Sequence, residues 1–165
     1  MSESSKDRNL KEKIKQVLIS TEKVISEDFK INDKSYNNED SKKHNFFELE
    51  AFNSKYDYIT ARATSDSNAL KKKFSNEQLY KKNLPQNVSC KKLYLISEKI
   101  RYESLGGQML KGIEKNFKEN YNQIINKKRK DQLKSKNDVD IVEAFELYML
   151  KKFHKMELNF LTTKM

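Results

Sequence analysis

The sequence holds one cysteine, one proline and three glycines in 165 residues, and no run approaches the ~18 apolar residues that a membrane-spanning helix needs. With Cys90 alone there is no disulfide framework, and with His44 and His154 far apart in the chain there is no recognisable metal-ligand spacing. The opening residues, Met1 to Arg8, carry Ser, Glu and Asp where a signal peptide needs an apolar stretch, so the expectation is a cytoplasmic protein. A Gly-rich phosphate loop, a nucleotide-binding Lys-Ser/Thr signature and a local Ser/His/Asp or Cys/His arrangement are all missing. Enzymatic readings lose most of their support there, and Cys90, near a helix start, reads as a small buried apolar residue.

What the chain has is charge. Hydrophobic residues make up 36% and charged residues 35%, with a mean hydropathy of -0.95, so one modest core is within reach only if its elements are amphipathic. The expectation is a single helical domain over 1–165. The net charge of +10 is uneven: residues 1–60 hold 11 basic and 12 acidic side chains, whereas 61–165 hold 23 and 12. A basic field attracts nucleic acid or an acidic protein. Thirty of the 34 basic residues are Lys, and readers of phosphate and base edges favour the Arg fork, so a basic helical nucleic-acid-binding protein stands as the alternative reading.

Apolar residues at Leu10, Ile14, Val17, Leu18, Val24 and Ile25 mark a helix over about 8–27. Residues 31–60 lose that period and read as an irregular connection, with 46–52 as a short strand-like run. Ser65 or Asp66 is expected to cap a short helix to Phe74, and Ser75-Asn76-Glu77-Gln78 opens another that stops before Pro85. Long helices then follow over 88–105, 108–127 and 138–156, the last capped by Asn137 or Asp138 with Ile141, Phe145, Tyr148, Met149 and Phe153 as its apolar face. Residues 158–165 read as a frayed tail. The fold class expected is all-α, with about four to six helices.

All three glycines lie between 106 and 112. That cluster reads as a helix–helix corner, with Gly107 in the left-handed region and Gly112 facing a neighbouring backbone. Arg101 and Glu103, two apart, point to different faces of their helix, so one pairs inward while the other faces solvent or a partner. Glu143 and Glu146 suit the first turns of a helix through its dipole rather than as cation ligands.

The segment Arg101-Tyr102-Glu103-Ser104-Leu105-Gly106, with Gly112-Ile113 and Asn116-Phe117, resembles the Arg-x-Glu-Ala-Ile-Gly, Gly-Val and Asn-Leu stretch of the T subunit of aerobic cobaltochelatase, without a gap. Upstream, Arg62-Ala63-Thr64-Ser65-Asp66 through Leu70-Lys71 resembles that family's Arg-Gly-x-Ala-Asp-x-x-Ala-Leu-Arg segment, and Leu84-Pro85 the motif before its long helix. The similarity spans most of 8–155 and is strongest over 60–118. It implies an accessory role in ATP-driven insertion of cobalt into a corrin ring, with an AAA+ ATPase subunit and a large chelatase subunit as partners. ATP, Mg and cobalt would be used by that complex, with none bound by this chain. Arg62, Asp66, Arg101, Glu103, Gly106, Gly107, Gly112 and Asn116 are the interaction or structural candidates that the resemblance and the residues together single out. The family continues through an acidic linker into a von Willebrand A-type domain with an Asp-x-Ser-x-Ser motif. Neither is found before Met165, which leaves a shortened product and a stand-alone N-terminal module both open.

Overall fold

A computed structural model describes residues 3–29, 54–129 and 140–157. Among these residues the chain is all-α: α1 (Glu3–Ser26), α2 (Lys55–Phe74), α3 (Glu77–Lys82), α4 (Val88–Met109), α5 (Lys111–Arg129) and α6 (Ile141–Phe153), with no strand. None of these helices is long and apolar enough to cross a membrane. The chain divides into two compact units, Met1–Lys73 and Phe74–Met165.

In the first unit, α1 buries Leu18, Ile19 and Ile25 on one face, as the three-and-four spacing dictates. Its neighbour α2 begins ten residues before the expected cap. Ser54 is the actual N-terminal signal: its N–H and Oγ both donate to Asp57 Oδ2 at 2.9 Å, and the Asp57 N–H donates back to Ser54 Oγ at 3.3 Å. This reciprocal pair satisfies donors that the first turn leaves open. Residues 55–60, expected to belong to an irregular connection, are therefore helical, and Ser65 and Asp66 lie buried in mid-helix instead of capping it. The strand-like run 46–52 lies outside the described residues. The buried face of α2 is made of small side chains, Ala61, Ala63, Ser65, Ser67 and Ala69, with Asp66 and Leu70. Small side chains permit close helix approach, close enough for Ser65 Oγ to donate to the Leu18 carbonyl at 3.2 Å. Lys72 binds Glu22 at 2.8 Å and Lys73 pairs with Glu27. The three pairs advance together along both helices, so α1 and α2 run in the same direction.

In the second unit, Asn76 caps α3 by accepting from the Leu79 N–H, and Asn87 caps α4 by accepting from the Ser89 and Cys90 N–H groups. Cys90, expected to be buried, is exposed. The glycine corner is not where its composition suggested. α4 runs straight through Gly106 and Gly107 to Met109, and no glycine has a positive φ. The turn is made by Leu110, whose extended backbone (φ -132°, ψ 101°) ends α4 and opens α5. Its N–H donates to the Gly106 carbonyl, and its own carbonyl accepts from Ile113 and Glu114. A buried Gly107 instead allows α4 and α5 to approach, since a Cβ there would lie 3.4 Å from Glu114 Cβ. Gly112, expected against a facing backbone, is exposed with nothing within 4 Å of such a Cβ.

Ile113, Phe117, Tyr121 and Ile125 form the buried stripe of α5, and α4 packs on both α5 and α6. In α6 the expected face is rotated. Leu147 and Leu150 are buried, while Ile141, Tyr148 and Phe153 are exposed. Its N-cap is Asp140, without a side-chain capping bond; Asn137 and Asp138 lie outside the described residues. His154 closes the helix and Lys155 follows at φ 52°, a left-handed position that the sequence fills without glycine, as it does at Glu27 (φ 58°) after α1.

Candidate functional site

The candidates fall into two clusters, one in each unit. In the first, Arg62 and Asp66 stand one turn apart on α2, with Arg62 Nε 3.7 Å from Asp66 Oδ2; the carboxyl is 1% exposed and the guanidinium about one third. An acidic side chain at that burial requires compensation, and the i, i+4 register supplies part of it.

In the second unit, Arg101 and Glu103 part company as their two-residue spacing requires. Arg101 is exposed: it binds Glu98 through Nε and Nη2, both at 2.7 Å, and donates from Nη2 to the Phe74 carbonyl at 2.8 Å. Ser75 Oγ donates to the same Glu98 carboxyl, so the group ties Phe74 and Ser75 to α4 within the second unit. Glu103, 1% exposed, faces inward. Its Oε2 accepts from the Tyr121 O–H at 2.6 Å and lies 3.6 Å from His154 Nε2, while Lys99 Nζ stands 4.0 Å from Oε1. Lys99 also lies over the Tyr121 ring, and the Tyr121 and Phe117 rings both contact the His154 imidazole. One side chain from each of α4, α5 and the end of α6 thus meets at a single carboxyl.

The electrostatics make this cluster a fastening. Burial first, and the Glu103 carboxyl second, push the Tyr121 phenol far above its ordinary value, so it stays protonated and donates. Burial pulls the His154 imidazole down from 6.5 to about 4, with the Lys99 charge acting in the same direction. Its Nε2, 2% exposed at the residue level, has no hydrogen-bond partner. The imidazole is thus held neutral between the Phe117 and Tyr121 rings, beside a phenol that keeps its proton. Among the described residues no group of three or more His, Cys, Asp or Glu could hold a metal ion.

Gly106 and Gly107 belong to the same packing, both buried on α4 close to Glu103, whereas Gly112 is exposed and Asn116 half-buried on α5. The sequence reading missed Tyr121 and His154 as partners of Glu103. A signal was present: Ile96, Ile100, Glu103 and Gly107 share one helical stripe in which Glu103 is the lone ionisable member, and a buried tyrosine hydroxyl needs a partner. The histidine carried no such signal, because its place depends on where α6 ends.

A family model described as Cobalamin biosynthesis protein CobT matches residues 8–156, which include both clusters. No curated protein and no solved structure matches the chain.

Proposed function

The chain belongs to the CobT family of cobalamin-biosynthesis proteins, and from that premise we propose that it is an accessory subunit of an aerobic cobaltochelatase, acting by protein–protein contact. The observation that carries the reading is the match over 8–156, nearly the whole chain. Cobalt is the cargo of such a complex, and ATP with Mg its fuel. On this reading the partners are the AAA+ ATPase subunit and the large chelatase subunit, and the compartment is the cytoplasm.

The Glu103 cluster supports the reading by what it does mechanically. It fixes α4, α5 and the end of α6 around one buried carboxyl, and so presents their outer faces in a constant geometry. A subunit that works by contact requires such faces. Co-fractionation of the purified chain with the AAA+ ATPase subunit on gel filtration, with ATP and Mg present, tests it. A shared peak is expected, and separate elution at micromolar concentrations would refute the proposal. A salt-titrated assay with DNA and RNA run alongside should show only weak, salt-sensitive association.

A further inference from the structure

From Glu77 to Lys99, comprising α3, the link through Pro85 and the first three turns of α4, not one residue is buried. The segment is nonetheless well built. Asn76 and Asn87 cap its helices, Tyr80 and Tyr94 stack with ring centroids 5.2 Å apart, and Glu98 anchors its base through Ser75 and Arg101. Its composition does not fit a solvated arm. Leu79, Leu84, Val88 and Leu95 are all exposed, Val88 at 68% and Leu95 at 56%. Helices in proteins gain most of their stability from packing an apolar face, and this stretch packs none fully.

On α4 the exposed groups share a face. Val88, Lys91, Lys92 and Leu95 follow at spacings of three, one and three, which sets two lysines between two aliphatic side chains over about 10 Å of helix. Lys82, Lys91 and Lys92 have no ion pair among the described residues, and the segment 77–99 holds five Lys against two Glu. An apolar stripe interrupted by unpaired cations is complementary to a helix that carries aliphatic anchors flanked by carboxylates. Nucleic acid fits less well, because the segment's two tyrosine rings are stacked on each other and its cations are all Lys.

We propose that the arm formed by α3 and the N-terminal half of α4 is a docking surface for an acidic, amphipathic helical segment of a partner protein, with Val88 and Leu95 as apolar anchors and Lys91 and Lys92 as the charge contacts. The inference rests on the proposed complex reading in one respect: the acidic segment is taken to belong to the ATPase subunit.

The test uses the full chain and a dye-labelled acidic amphipathic peptide of about 20 residues, Leu on one face and Glu on its flanks, read by fluorescence anisotropy. Saturable binding is expected, weakened at least about tenfold in the double variant Val88→Ser/Leu95→Ser and several-fold in Lys91→Glu/Lys92→Glu. Tyr148→Ser, an exposed change on α6, should leave it unaltered. Because all the altered side chains are exposed, circular dichroism melts should match the parent, and anisotropy then reports binding alone. No saturable binding, or equal binding by every variant, overturns the proposal. So does tight binding of a single-stranded RNA that survives Val88→Ser/Leu95→Ser, or self-association of the chain abolished by that variant. The same variants in the co-fractionation assay separate the two readings. An ATPase subunit that still co-elutes with Val88→Ser/Leu95→Ser refutes the arm and leaves the complex reading intact. Peptide binding without ATPase co-elution does the reverse.

Discussion

At the scale of single residues, the strongest statement concerns Glu103 and its contacts. Tyr121→Phe removes the 2.6 Å hydrogen bond and leaves a buried carboxyl short of a donor, so it should destabilise the protein by about 1.5–3 kcal/mol in urea unfolding. His154 gives the molecule a directional response to acid. Its folded value of about 4 lies below the ordinary 6.5, so the unfolded chain takes up a proton first as pH falls. Stability attributable to this residue is therefore complete above about 6.5 and declines toward 4, by roughly 2 kcal/mol between pH 7.5 and 5. Urea midpoints measured across that range should show the decline, and His154→Gln should flatten its share of it. A different residue effect is expected at Lys155, which sits at φ 52° with a Cβ that the left-handed region disfavours. Lys155→Gly should raise stability by about 0.5–1 kcal/mol, read as an increase in melting temperature.

At the scale of elements, α1 was legible from its apolar stripe alone and α3 from its Ser75-Asn76-Glu77-Gln78 start. The α2 start was missed because its Ser54-x-x-Asp57 signal precedes the apolar period, and Asn- and Asp-rich stretches upstream suggested turns. The α4–α5 corner was misplaced for a different reason. Glycine composition reports where the backbone could bend, but Gly107 is used for proximity, and Leu110 turns the chain in an ordinary extended conformation. The two glycines should therefore respond differently to substitution. Gly112→Ala, at an exposed position with open space around the added methyl, should be neutral or stabilise by up to about 1 kcal/mol. Gly107→Val must place a Cβ and two methyl carbons beside Glu114 on α5 and should destabilise by about 1–3 kcal/mol in the same melts. Of the candidate residues, the two-residue spacing showed that one of Arg101 and Glu103 turns inward but not which, and the His154 contact depends on where α6 ends.

At the scale of the whole molecule, the chain joins a rigid polar fastening at Glu103 to a helical arm that is capped, stacked and left unburied. Rigidity behind an exposed amphipathic surface is the arrangement expected of a subunit that acts by contact, and it gives the cobaltochelatase reading a physical form. It also distributes the basic charge usefully, since the cations of 77–99 lie on the arm. Amide hydrogen exchange of the full chain, with and without the AAA+ ATPase subunit and ATP, tests this most directly. The account predicts slowed exchange across 77–99 in the presence of the ATPase subunit, with the buried stripe of α5 unchanged. Identical exchange in every described segment, at ATPase concentrations in the micromolar range, would contradict it.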